Sequence, residues 1–235
     1  MALQEEDVQI SIMEDESKQH HNNVELSGTL TLLPKQEKKG IVVFAHGSGS
    51  GRHSPRNQYV ASILHKSGIG TLLVDLLTSE EQKIDDRTRE YRFNIRLLAN
   101  RLAAVTDWLL IKNHETRNAS YSIGYFGAST GAAAALIAAA ERHEDEVKAI
   151  VSRGGRPDLA NSYHLKKVRA PTLFLVGSKD NQQVIALNQK ALQELKNVGE
   201  KRLLMIQGAG HLFEEPGTLE EAAKHATSWF ERYLD

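Results

Sequence analysis

The sequence predicts an α/β protein, a mostly parallel, doubly wound sheet of about eight strands with helices on both faces and no large lid. Three observations predict it. Apolar strand-like runs alternate with helix-like runs from residue 41 to the C-terminus, the pattern of a parallel sheet covered by its crossover helices. A glycine-flanked serine, Gly127-Ala128-Ser129-Thr130-Gly131, joins one such strand to an alanine-rich helix. Polar and glycine-rich segments recur at the carboxyl ends of the strands, where open α/β sheets gather their ligands.

In chain order, Val8 to Met13 and Val24 to Leu33 read as an antiparallel pair across the polar segment Glu14 to Asn23. Their β-branched alternation is that of strands. Strand 41–45, helix 56–66, strand 70–76 and helix 90–112 follow. Strand 120–126 then feeds a helix over 130–141, where Ala132 to Ala140 is nearly all helix former. Strands 147–152 and 171–176, helix 182–196, strand 201–206 and a closing helix over 218–233 complete the reading. The connection from Arg153 to Ala170 is short for a lid. With 235 residues and no long linker, the chain reads as one domain over 1–235.

Crowding gives the serine its meaning. At the apex of a sharp strand-to-helix turn, residues two before and two after approach the neighbouring backbone too closely for a Cβ, which accounts for Gly127 and Gly131. The turn lifts the Ser129 hydroxyl clear of the sheet. Thr130 stands at the helix start, where unpaired N–H groups face any developing anion.

An elbow serine needs a base and a carboxylate, each beyond a later strand. Ala170 to Gly177 reads as a buried parallel strand followed by Ser178-Lys179-Asp180-Asn181, and Lys201 to Ile206 as another followed by Gly208-Ala209-Gly210-His211. The order Ser129, Asp180, His211 differs from that of the chymotrypsin and subtilisin triads and matches the order nucleophile, acid, histidine.

Acyl transfer also needs two fixed N–H donors for the carbonyl oxygen. Ile41 to Ala45 runs into His46-Gly47-Ser48-Gly49-Ser50-Gly51, and the backbone amides of Ser48 and Thr130 are assigned to that role. A competing reading takes Gly47, Gly49 and Gly51, with Asp75 after the next strand, as a dinucleotide fingerprint. It fails on spacing, because residue 52 is arginine, and a phosphate loop fails for want of a following G-K-[S/T].

Charge and composition bound the rest. Net charge is −1, with basic and acidic residues intermingled, so nucleic acid is not an expected partner. The acidic start Met1 to Asp7 lacks the pattern of a signal peptide, and no apolar run is long enough for a bilayer. A cytoplasmic protein with a small-molecule ester substrate, no membrane and no nucleic-acid partner is expected; oligomeric state is left open. With no cysteine and no His-Glu-x-x-His spacing, neither a metal nor another cofactor is expected. His46, just before the glycine-rich loop, reads as a brace for that loop. Arg153, in Ser152-Arg153-Gly154-Gly155-Arg156-Pro157-Asp158, reads in two ways: a two-pronged clamp for a substrate carboxylate, or the partner of a local acid such as Asp158.

From about Gly28 onward these motifs together resemble the α/β-hydrolase superfamily, and within it the dienelactone-hydrolase-like group of small, lidless hydrolases. The resemblance rests on residues 46–51, 127–131, 152–157, 176–180 and Gly208 to Phe213. It implies the α/β-hydrolase fold and ester hydrolysis through an acyl-enzyme on Ser129, with thioester or amide cleavage as the alternative on the same triad. A non-catalytic binding protein of the same fold is the alternative of another class. Dienelactone hydrolases proper use a cysteine nucleophile, whereas this chain has serine there, so hydrolysis is implied more firmly than dienelactones as substrates.

Overall fold

The computed structural model describes residues 3–15, 21–33, 40–115, 121–143 and 146–234. Eight strands form one sheet: β1 (Gln4–Asp15), β2 (His21–Leu32), β3 (Gly40–Ala45), β4 (Ile69–Val74), β5 (Ile123–Ala128), β6 (Ala149–Arg153), β7 (Thr172–Gly177) and β8 (Lys201–Ile206). Their spatial order is β1-β2-β4-β3-β5-β6-β7-β8. The pairings β1/β2 and β2/β4 are antiparallel and the rest parallel. The expected α/β-hydrolase architecture, with an antiparallel pair leading into a parallel sheet, is the observed one.

Period-two alternation sorts the strand side chains into two cores. Ile41, Val43, Ile150, Phe174 and Val176 face one core with α3 (Ile95–Glu115), α4 (Thr130–Glu141), α5 (Asn161–Lys167) and α6 (Gln182–Glu194). Val42, Phe44, Val151, Leu173 and Leu175 face the other, beneath α1 (Pro55–Lys66) and α7 (Thr218–Tyr233). Parallel strands are buried on both faces, so β3 to β7 carry no exposed residue.

Several boundaries differ from expectation. The helix expected over 90–112 is α3, which begins at Ile95, and an unexpected helix, α2 (Ser79–Thr88), precedes it and ends at Arg89 in the left-handed conformation. α2 is polar nearly all round and buries only Asp85, so it carries no apolar stripe. A 3-10 turn over Pro157–Ala160 and α5 occupy the segment read as a plain connection. Strands β5, β6 and β7 end one or two residues later than expected. Arg153 is therefore the last residue of β6, laddered between Ala128 and Leu175. The start of the strand expected at 120, and part of the polar segment 14–23, lie outside the described residues.

Candidate active site

The Gly127–Gly131 turn has the geometry its composition requires. Ser129 adopts φ 50° and ψ −119°, a conformation that costs a non-glycine residue roughly 1–3 kcal/mol and persists only where its surroundings enforce it. They do so by contact. A Cβ on Gly127 would collide with Ala132 Cα, and one on Gly131 with the carbonyl oxygens of Ala45 and His46. The elbow is thus wedged between the start of α4 and the end of β3.

Asp180 and His211 are brought together as expected. β7 and β8 are parallel neighbours, and their carboxyl-end loops are cross-tied: Ser178 N–H donates to Ile206 O (3.0 Å), Lys179 N–H to Ala209 O (2.8 Å), and Gly208 N–H to Ser178 Oγ (2.9 Å). Within that frame His211 Nδ1 lies 2.9 Å from Asp180 Oδ2, while Asp180 Oδ1 accepts from Asn181 N–H at 2.7 Å. The carboxylate side chain is 2% exposed and the imidazole 36%. A buried acceptor on one ring nitrogen fixes the proton on Nδ1 and leaves Nε2 with its lone pair.

The segment after β6 connects this pair to the elbow. Ser129 N–H donates to Arg153 O (3.2 Å), Arg156 N–H donates to Ser129 O (3.1 Å), and a Cβ on Gly154 would stand 3.6 Å from His211 Cε1. Ser129 and His211 therefore flank the same short stretch of chain.

On the other side, the glycine-rich loop abuts the elbow. Ser48 Oγ and Thr130 Oγ1 are 3.0 Å apart, and a Cβ on Gly47 would stand 3.1 Å from Ser129 Cβ. Neither the Ser48 nor the Thr130 backbone N–H has an acceptor among the described residues. His46 braces this loop with both ring nitrogens: Nδ1–H donates to Gly47 O and Nε2 accepts from Leu76 N–H, each at 3.0 Å. Burial holds its pKa below the ordinary histidine value, so the ring is neutral, as this donor-and-acceptor pattern requires. Asp75 adds a second brace that sequence reasoning missed. It accepts from Arg52 N–H at 2.7 Å and pairs with the Arg52 guanidinium at 3.3 Å. Its position just beyond β4 was the available signal.

A broad polar cleft of about 1450 Å³ borders the loop, lined by His46, Ser48, His53, Arg56, Asp75 and Thr78 among others. Ser129 and His211 are not in its lining, so the cleft adjoins the elbow rather than covering it.

The two arginines after β6 behave differently. Arg156 makes the local pair, with Nε and Nη2 on the two oxygens of Asp158 at 2.9 and 2.7 Å. Arg153 does not. Period-two alternation puts its side chain on the α1/α7 face, next to Arg56 and 5.6 Å from the Phe213 ring.

Known proteins share this fold. The family model described as "Alpha/beta hydrolase domain" matches residues 38–231. The chain belongs to the α/β-hydrolase family. Within it, the crystal structure of a dienelactone hydrolase from Anabaena variabilis is 52% identical, covers 99% of both chains and superposes with a TM-score of 0.87. The chain is therefore a member of the dienelactone-hydrolase-like group. The esterase Est1E from Butyrivibrio proteoclasticus is 16% identical over 95% of this chain and 98% of its own, at a TM-score of 0.70, and shares the fold. A Mycobacterium tuberculosis protein named "Putative phosphoribosyl transferase" is 53% identical over 211 residues, which are 90% of this chain but 44% of that protein. The chain thus spans less than half the length of its mycobacterial relative.

Proposed function

We propose that this hydrolase cleaves ester bonds of small substrates through an acyl-enzyme on Ser129. The observation that carries the proposal is the buried Asp180 carboxylate on His211 Nδ1, in a chain whose serine elbow is enforced by backbone contact on both sides.

In the first step His211 Nε2 takes the Ser129 proton as Oγ attacks the carbonyl carbon, and Asp180 orients the ring and stabilises the imidazolium. Negative charge forms on the carbonyl oxygen, between the Ser48 and Thr130 amides. Collapse expels the alcohol, which takes the proton from His211. Water, deprotonated by the same nitrogen, then releases the acid and restores the serine. Thioesters and amides pass through the same oxyanion, so acyl class is a matter for assay.

The transferase name of the mycobacterial relative belongs to a protein more than twice as long, and we assign that activity to the part with no counterpart here.

A panel of 4-nitrophenyl esters and matched thioesters of short acids tests the reading. Wild-type protein should hydrolyse the short esters, and Ser129→Ala should lose activity on the order of 10⁶-fold, the loss seen when a triad nucleophile is removed. Undiminished turnover by pure, folded Ser129→Ala protein would refute it.

A further inference from the structure

Arg153 is 6% exposed, yet no carboxylate pairs with it among the described residues. Its partners are weak. Nη1 reaches Leu212 O at 3.5 Å, the limit of a hydrogen bond, and the guanidinium lies over the Phe213 ring at 5.6 Å. Nε is sealed from solvent with no acceptor. Nη2 also lacks an acceptor among the described residues but is not sealed. A guanidinium carries five N–H donors, and burying it without an anion is costly.

Other buried cations here do not behave this way. Arg101 is 1% exposed and is gripped by both oxygens of Glu81 at 2.6 and 2.7 Å, with Leu76 O at 2.9 Å. Arg142, whose side chain is 8% exposed, holds Asp107 and Glu146. The charge that acts on Arg153 is instead another cation, Arg56, whose own partner Glu214 is an exposed carboxylate on the His211 loop. Burial, reinforced by Arg56, pulls the Arg153 pKa down to about 10, so the group remains protonated at neutral pH.

Position gives the unspent donors a purpose. The Arg153 carbonyl holds the Ser129 N–H, and its side chain runs under Leu212 and Phe213, the two residues after His211. Arg153 is thus tied by its backbone to the proposed nucleophile and by its side chain to the two residues that follow the proposed base. Leu212, whose carbonyl Nη1 reaches, is itself 44% exposed.

We propose that Arg153 is the specificity-determining residue of this hydrolase, binding an oxyanion group, carboxylate or phosphate, carried by the ester substrate. The proposal rests on the esterase reading above, because it places the anion relative to Ser129. A guanidinium fork matches both oxyanions through two parallel N–H···O bonds, and a lysine does not. Arg56 supplies a second positive charge once Glu214 is displaced.

The test separates binding from turnover. Using Ser129→Ala protein, thermal melting is followed with succinate, with inorganic phosphate and with uncharged succinamide. A ligand that binds only the folded state raises Tm as its concentration passes Kd. Succinate, phosphate or both should raise Tm where succinamide does not, the stronger anion identifying the source, and the rise should vanish in Ser129→Ala/Arg153→Met and be partly restored in Ser129→Ala/Arg153→Lys. Catalysis provides the second arm. With wild-type protein, the 4-nitrophenyl ester of succinic acid monoanion, or of 3-phosphonopropanoate, should be preferred over 4-nitrophenyl butyrate in kcat/KM. Arg153→Lys should lower that preference at least tenfold, chiefly through KM, since uniform binding is what is lost. No anion-specific rise in Tm, or equal losses for butyrate and the charged esters, would overturn the proposal while leaving the esterase reading intact. Inactivity toward every ester, with an anion-specific, Arg153-dependent rise in Tm, would overturn the esterase reading and leave the anion site standing.

Discussion

Arg101 and Arg153 are both buried guanidinium groups near strand ends of one sheet, and they differ in what surrounds them. The Arg101 region is saturated: Glu81 takes two of its N–H groups and Leu76 O another, while the same Glu81 closes a capping box with Thr78 at the start of α2. The Arg153 region is unsaturated. Within a few residues of it lie a serine at φ 50°, a Ser152 hydroxyl and an Arg153 Nε with no partner, and two free amides across the elbow. In the first region every buried donor has found its acceptor, whereas the second combines backbone strain with unspent donors.

The largest expected effect tests the reactive side. Asp180→Asn should preserve the fold and lower kcat about 10⁴-fold, the loss seen in a serine-protease triad when the acid becomes an amide and the imidazole takes the wrong tautomer. Steady-state kinetics on a short nitrophenyl ester read this directly, and a loss under tenfold would move the acid's role to another residue.

Next comes the contrast itself, measured by urea unfolding. Arg101→Ala strands Glu81 beside a vacated, buried site and should cost about 3–5 kcal/mol, as breaking a buried pair does. Arg153→Met removes a buried cation that has no anion to strand, and should cost less than about 1 kcal/mol or stabilise the protein. Equal costs would erase the distinction between the two regions.

The smallest effect concerns His46. Burial lowers its folded pKa below the unfolded value, so at low pH the unfolded chain binds a proton that the folded chain refuses. Its contribution is complete above pH about 6.5 and is lost as pH falls below that value. His65, half-buried and lowered by desolvation, acts in the same direction. Stability should therefore fall from pH 6.5 to 5.5, and less steeply in His46→Gln, whose amide can still donate to Gly47 O and accept from Leu76 N–H. An unchanged slope would show that His46 titrates normally and does not brace the loop in its neutral form.

Much of this was legible in the sequence because the sheet is buried on both faces. Continuous apolar runs gave β3 to β8 within two or three residues, and the loops after β5, β7 and β8 held Ser129, Asp180 and His211 in an order that names the fold. α2 was missed because Ser79–Thr88 buries one polar residue and offers no hydrophobic period, although Thr78-x-x-Glu81 was a readable cap. α5 was missed because seven residues with one buried leucine leave little pattern. Arg153 defeated sequence reasoning for a different reason. Proximity of Asp158 in the chain made a local pair plausible for either arginine, and only the end of the β6 ladder decides that Arg156 takes it while Arg153 turns to the opposite face. Which charges are left unpaired is a property of three-dimensional packing.

An activated Ser129 hydroxyl should be captured covalently by a serine-directed fluorophosphonate, which intact-protein mass spectrometry reads as an added mass. The expected result is a single adduct, mapped by peptide fragmentation to Ser129 and strongly slowed in His211→Ala. Absence of an adduct on folded protein, or labelling of a different serine at the same rate in Ser129→Ala, would contradict it.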